Sequence, residues 1–568
     1  MSPTAGATTR RYLSKKFAPT DWDAISAQFD NLERIAQLPE VDLPAWLVQC
    51  SELQAAVAEE YTRRYIDKTG ATDNSEKVQA FLEYAENIMP KCQPRWQKLE
   101  RVLLEHSKRP ALDQERWGLL LRSYENQVAL FREENIPLGV EDTRLSNEYQ
   151  KLMGAMMVTW EGQELTLQQM GPFLENRDRA VRQKAWELTA RRRFQDRDAL
   201  DAVYEKMVPL RHKMAKNAGF ENFRDLVFRS KERWDYTPAD CTKFHDAVEK
   251  LVVPQVRRMQ EERRKALKVD TLRPWDLSVD IHDKPPLKPF EKSEQLFDGC
   301  REMFRRVDPI FSKMIDTLRE SGNLDLESRK GKAPGGYQAT LHEIRKPFIF
   351  MNAAGMNHDV FTFLHEGGHA FHALLAKEEP ILRYRHAPME FNEVASMAME
   401  LLAFEHLDVF YAQDDVKRAK RKELEGILNL FPWVATIDAF QHWVYTHPEH
   451  TREERTAQWR GLRRRFGGIE DMSGYEDISD CTWQRQLHLF TSPFYYIEYG
   501  IAQLGALQVW ANKKRDSANA VKQYQAALKL GGTKGLPELF RTAGAEFDLS
   551  ERTIRPAIEN VLEELATV

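Results

Sequence analysis

The chain has 568 residues, of which 42% are apolar and 30% charged, and its formal net charge is −5. That is the composition of a folded chain, long enough for three or four domains and a large core. It argues against a nucleic-acid binder, which presents a basic face, and no run approaches the ~18 apolar residues of a membrane-spanning helix.

Taken in chain order, most of the sequence reads as helix. Thr20 is positioned as the N-cap of a helix over 20–38 that sets Trp22, Ile25, Phe29, Leu32 and Ile35 on one stripe. The same period runs through 43–70, 75–106, 114–134, 142–161 and 177–217. "VDTLRPWDLSVDIHDKPPLKPF" (269–290) has no helical period and reads as a long loop. It is expected to divide an N-terminal helical lobe, 1–270, from a catalytic lobe, 271–568, as lobes of one structural unit. A helical region over 292–320 follows. Then come two β-like runs, "GYQATLH" (336–342) and "PFIFMN" (347–352), with helices from 357 onward. The basic runs "KRAKRK" (417–422) and "RGLRRR" (460–465) read as solvated helix faces. The fold class expected is mainly α, with one small sheet.

Five cysteines, Cys50, Cys92, Cys241, Cys300 and Cys481, are scattered without a CxxC pair. Neither a disulfide framework nor a cysteine-based zinc site is indicated. The N-terminal stretch lacks the apolar core of a signal peptide. A cytoplasmic location is the expectation.

The chemistry concentrates in "LHEGGHAFHALL" (364–375). His365 and His369 are one helical turn apart and can point imidazoles at one metal ion. Glu366 stands about 100° round the helix, beside the ion without ligating it. Two zinc ligands and a general base are the roles this HExxH spacing suits, with a third ligand supplied from elsewhere and a fourth position open to water. Gly367 and Gly368 each cost a helix about 1 kcal/mol. Without side chains there, substrate, metal-bound water or a neighbouring element can approach the backbone; plain helix–helix packing is the competing reading, and the two are compatible.

"MEFNEVASMAMELLAF" (389–404) offers the missing ligand. Glu393 and Glu400 are seven residues apart and share a face with apolar neighbours. Glu393 can complete a His2Glu site, and Glu400 can hydrogen-bond the second nitrogen of a ligating histidine. The alternatives are that both glutamates face solvent, or that Glu390 is the ligand. Further on, "WQRQLHLFTSPFYYIEYGIAQLGA" (483–506) gathers His488, Tyr495, Tyr496 and Tyr499. An imidazole and phenols near a zinc site suit oxyanion stabilisation. Aromatic packing is the other reading, and the preferred one for Tyr495.

"HEGGHAFH", "NEVASMAME" and "HLFTSPFYYIEYG", preceded by "GGYQATL" and "KPFIFMN", resemble the oligoendopeptidase F branch of the thimet oligopeptidase–neurolysin family, in that family's order. The resemblance implies one zinc ion held by His365, His369 and Glu393, with Glu366 as base. It implies that His488 and Tyr499, with Tyr496, contact the substrate carbonyl or the developing oxyanion. Gly335, Gly336, Tyr337, Gln338 and Ala339 would form a strand along which a peptide lies, with Tyr495 a further substrate contact. The fold implied is neurolysin-like: two mainly helical lobes facing each other across a deep channel, with a small sheet beside the zinc-binding helix. The activity implied is endopeptidase cleavage of short unstructured oligopeptides, without nucleic-acid or membrane partners. A zinc carboxypeptidase on a related fold and a non-catalytic peptide-binding protein are the alternatives.

Overall fold

In the computed structural model, which describes residues 10–329, 331–333 and 335–568, most of the chain is helical. Local chemistry sets where the helices start and stop. The first runs Trp22–Ala36, because Asp21 and not Thr20 takes the cap: its carboxylate accepts from the Asp23 N–H at 3.0 Å. Ile25, Phe29 and Leu32 are buried from that helix, while Trp22 and Ile35 are half-buried. The period over 75–106 breaks at Ile88, just before Pro90, giving Ser75–Asn87 and Met89–Glu105. The one over 177–217 breaks at Asp196 into Arg179–Gln195 and Arg197–Asn217.

The expected helix over 142–161 is corrected. A helix spans Asn135–Gly154, and a hairpin follows, β1 (Met157–Trp160) against β2 (Gln163–Thr166). Its two turn residues, Glu161 and Gly162, both have positive φ (50° and 84°), as a tight two-residue hairpin turn requires.

The backbone groups into two compact units, each assembled from three segments, so they are not the sequential halves 1–270 and 271–568. The first comprises Met1–Ala129, Lys288–Ala419 and Ala502–Phe547. Its sheet has three strands, one more than the sequence pattern indicated: β3 (Leu324–Glu327), β4 (Tyr337–Leu341) and β5 (Lys346–Ala353), in the order β3-β5-β4. β5 is central, with Phe348, Ile349 and Phe350 wholly buried, and pairs parallel to β3 and antiparallel to β4. β4 is therefore an edge strand. Tyr337 on β4 stacks on Phe350 (ring centroids 4.7 Å apart), and its hydroxyl lies 2.6 Å from Thr69 Oγ1 on the helix Leu43–Gly70.

The helix that follows β5, Asn357–Leu375, carries the HExxH motif. Asp359 accepts from the N–H groups of Ala354 and Met356 and secures its N-terminus. Phe371 packs between Phe304 and Phe311, both centroids 4.8 Å away, on the helices Ser293–Val307 and Pro309–Glu320. Truncating such a buried ring costs about 3–5 kcal/mol.

The second unit comprises Leu130–Leu287, Lys420–Ile501 and Asp548–Val568. The stretch 269–290 contains only a short 3-10 turn, Pro274–Asp276, and is fastened by a buried charge: Asp276 accepts from Arg179 at 2.7 and 2.9 Å and from Arg182 at 3.1 Å. The run 460–465 lies on the helix Arg452–Phe466, where Arg463 pairs with Glu470 and Arg465 with Asp246 and Glu249. That basic run is thus locally neutralised. Among the described residues no helix is long and apolar enough to cross a membrane.

Candidate metal and catalytic site

The first unit brings the motif histidines onto a glutamate of the next helix, Met389–Ala403. His365 Nε2 is 3.4 Å and His369 Nε2 3.6 Å from Glu393 Oε2. Three ligands at about 2.1 Å from a tetrahedral ion stand about 3.4 Å from one another. The donor set of two imidazole nitrogens and one carboxylate oxygen therefore fits zinc in chemistry and in spacing. Glu390 is buried on the same helix but does not join this group.

What lets the two helices come this close is Gly368. A Cβ there would fall 2.5 Å from the Ala395 carbonyl oxygen and 2.7 Å from Ser396 Cα, so the helices cross backbone to backbone. Gly367 makes room for Phe304, whose Cζ would lie 2.5 Å from an added Cβ. These contacts support the close-packing reading of the glycine pair. Tyr524 adds to the crossing by donating to the Ala395 carbonyl at 2.6 Å.

The neighbours of the ligands orient them. Glu400 Oε1 lies 2.6 Å from His365 Nδ1. With Nδ1–H donating to Glu400, the Nε2 lone pair is left for a metal. Burial works against a charged His365, but Glu393 and Glu400 outweigh it and hold the imidazole well above its usual range. Burial pushes His369 down to about 4. Ser396, which the sequence pattern did not single out, donates to Glu393, to its carbonyl oxygen at 3.0 Å and its Oε2 at 3.1 Å. Its only signal was its place one turn after Glu393.

Glu366 is buried next to the ligands without sharing their point of convergence. Burial pushes it up to about 7, with Glu393 and Glu400 adding to the rise and His365 opposing it. A divalent cation among these acids would draw it back toward the ionised form. The backbone N–H of Gln338, on edge strand β4, donates to the Glu366 carboxylate. Gly336 lies against the same place: a Cβ there would be 3.3 Å from Thr362 and 3.7 Å from Glu366 Oε1. Gly335 adopts φ +93°, open to glycine and strained for other residues. Ala339 pairs with Phe348 of β5. The Tyr337 side chain is committed to packing.

The second unit carries a histidine–tyrosine group. The His488 ring lies 5.5, 5.1 and 5.9 Å from those of Tyr495, Tyr496 and Tyr499. Trp433 Nε1 donates to Gln486 Oε1 at 3.0 Å, and the Gln486 amide nitrogen lies 2.8 Å from His488 Nδ1. That chain of donors leaves the His488 proton on Nε2, as a donor. Burial raises the Tyr496 phenol above its usual range. Tyr495 lies under the Lys231 ammonium, 5.0 Å from its ring centroid, and edge-on against Tyr499.

A helix-borne His-Glu-x-x-His whose histidines meet a glutamate of a second helix is the donor set of a metallopeptidase. The chain belongs to peptidase family M3, whose family model matches residues 173–556. Among curated proteins it is similar to an oligoendopeptidase F homolog of Borreliella burgdorferi, at 23% identity over 69% of this chain and 65% of that one. It is also similar to oligopeptidase PepF of Bacillus subtilis, at 22% identity over 67% of this chain and 56% of that one. The chain thus spans less than two thirds of the length of either relative. A solved structure assigned as an oligoendopeptidase F superposes with a TM-score of 0.91, at 26% identity over 98% of both chains.

Proposed function

We propose that this chain is a zinc-dependent endopeptidase that hydrolyses internal bonds of short, unstructured oligopeptides in the cytoplasm. The observation that carries the reading is the convergence of His365 Nε2 and His369 Nε2 on Glu393 Oε2, with Glu366 alongside, in a chain of peptidase family M3. His365, His369 and Glu393 would hold a single catalytic ion. Zinc, when bound there, supplies Lewis-acid polarisation of a carbonyl and makes water more acidic.

The remaining work falls to the chain's own residues. Glu366 takes a proton from the attacking water and returns it to the leaving nitrogen. The Gln338 N–H aims the Glu366 carboxylate, and Glu400 and Ser396 hold His365 and Glu393 in their ligating orientations. An extended peptide adds to the edge of β4 through backbone hydrogen bonds, so sequence preference is loose and an unfolded backbone is required. His488, through Nε2–H, and Tyr499 or Tyr496 supply hydrogen bonds to the developing oxyanion. A location in the cytoplasm is supported by the cysteine usage: five thiols in no disulfide, as a reducing compartment keeps them.

The test is an internally quenched peptide blocked at both termini. Cleavage at an interior bond, lost on chelation and restored by zinc, is the expected result. A chain that leaves the blocked peptide intact and trims single residues from a free C-terminus would be a carboxypeptidase instead.

A further inference from the structure

Two pairs of donor residues at helical i,i+4 spacing take no part in the chemistry above. "CTKFH" puts Cys241 and His245 on one face of the helix Pro238–Leu251. "DAFQH" puts Asp438 and His442 on one face of the helix Gln413–Thr446. All four lie in the second unit, and the two faces meet. His245 Nε2 is 2.8 Å from Asp438 Oδ2, and His442 Nε2 is 3.2 Å from the same oxygen. One ligand atom each from Cys241, Asp438 and His442 lie within 4.8 Å of one another. Among the described residues this is one of two such groups, the other being His365, His369 and Glu393.

The setting is apolar and closed. Cys241 and Asp438 are 0% exposed and His245 4%. The His442 ring packs edge-on against Phe494 and Phe228, and His245 against Phe466. A carboxylate in such a place needs every lone pair answered. The His245 contact answers Oδ2. Asp438 Oδ1 is buried without a hydrogen-bond partner. A His-Asp-His charge network explains the two contacts to Oδ2 and leaves Oδ1 unanswered. A cation held with Cys241 and His442 answers it.

We propose that Cys241, Asp438 and His442 form a second metal site, for a zinc-class divalent ion, with His245 fixing Asp438 from behind. The mixed sulfur, nitrogen and oxygen donors suit zinc and exclude the all-oxygen preference of magnesium and calcium. His245 on Oδ2 turns Oδ1 toward the ion, the arrangement in which a neighbouring imidazole and a ligating carboxylate support each other. On binding, the Cys241 thiol gives its proton to solvent and ligates as thiolate, with no change of oxidation state. The ion would staple two helices of the unit. The helical CxxxH and DxxxH spacing hid it from a search for paired CxxC motifs.

The test uses the full-length chain loaded with Co2+ in place of zinc. A thiolate ligand gives a sulfur-to-cobalt charge-transfer band in the near ultraviolet, and the His365 site holds no cysteine. Two ions per chain and that band are expected in the unsubstituted chain. His369→Ala should leave one ion and the full band. Cys241→Ser on that background should abolish the band and the remaining ion together. A single ion that disappears with His369→Ala, and no charge-transfer band at any loading, would overturn the proposal. Should Cys241→Ser fail to fold, the spectra of the unsubstituted and His369→Ala chains still decide. The outcome is independent of the proposed activity: a chain that shows the band and cleaves no peptide keeps this site and loses the endopeptidase reading.

Discussion

Gly368→Ala isolates the contact on which the candidate site rests. The new methyl would fall 2.5 Å from a backbone oxygen and 2.7 Å from a backbone carbon of the facing helix, atoms that no rotamer change can move. Ordinary contact begins near 3.4 Å, so the helix Met389–Ala403 has to retreat by about 0.9 Å. Overpacking of this kind costs about 1–3 kcal/mol, against about 1 kcal/mol that alanine returns in helix propensity. The net loss of stability is therefore small, about 0–2 kcal/mol. The larger effect is on Glu393, which the helix carries away from the histidines. Metal–ligand distances tolerate only about 0.2 Å, so metal affinity should fall by roughly 10- to 100-fold. Chelator competition reads the affinity, and thermal unfolding of the metal-free chain reads the stability. Gly461→Ala is the control, because nothing lies within 4 Å of that helical glycine. It should stabilise the chain by roughly 0.5–1 kcal/mol and leave metal binding alone. If Gly368→Ala behaved like Gly461→Ala, with wild-type metal affinity and raised stability, the close crossing would not be what sets the third ligand.

Three further experiments probe the remaining residues. Glu393→Ala should release metal under a chelator concentration that Glu390→Ala withstands; equal retention by the two would leave Glu393 without a ligand's role. Glu400→Gln keeps the shape of the side chain and removes its charge, and should weaken metal binding by roughly 10- to 100-fold, measured by the same competition. Of Tyr496→Phe and Tyr499→Phe, the one that removes the oxyanion donor should lower kcat by about two to three orders of magnitude with little change in KM, in steady-state kinetics on the blocked peptide.

The parts of this molecule that a linear pattern could reveal are those whose partners lie a few residues away. His365 and His369 announce themselves by one turn of spacing, and the helices over 22–36, 43–70 and 357–375 by their apolar stripes. The hairpin Met157–Thr166 did not, because Met153, Met156 and Met157 carry the apolar period of the preceding helix into it, and its turn signal is only the pair Glu161–Gly162. The role of Gly367 and Gly368 was open in the sequence for a different reason: the atoms that decide it, on Phe304, Ala395 and Ser396, lie dozens of residues to either side. Ser396 was overlooked because a serine inside a helix has many harmless uses. The interleaving of the two units was illegible too. The stretch 269–290 has the composition of a linker, and nothing in its Pro and Asp content tells that Asp276 is wholly buried between Arg179 and Arg182.

The central claim is that Glu366 is the base beside a metal that His365, His369 and Glu393 hold. The most direct test measures metal content and peptide hydrolysis on one preparation of Glu366→Gln. Glutamine keeps the size of the side chain and removes its basic oxygen, so the account predicts unchanged metal content with hydrolysis reduced by about 10²- to 10⁴-fold. Metal lost on dialysis would make Glu366 a ligand, and hydrolysis within tenfold of the unsubstituted chain would place the base elsewhere; either result contradicts the account.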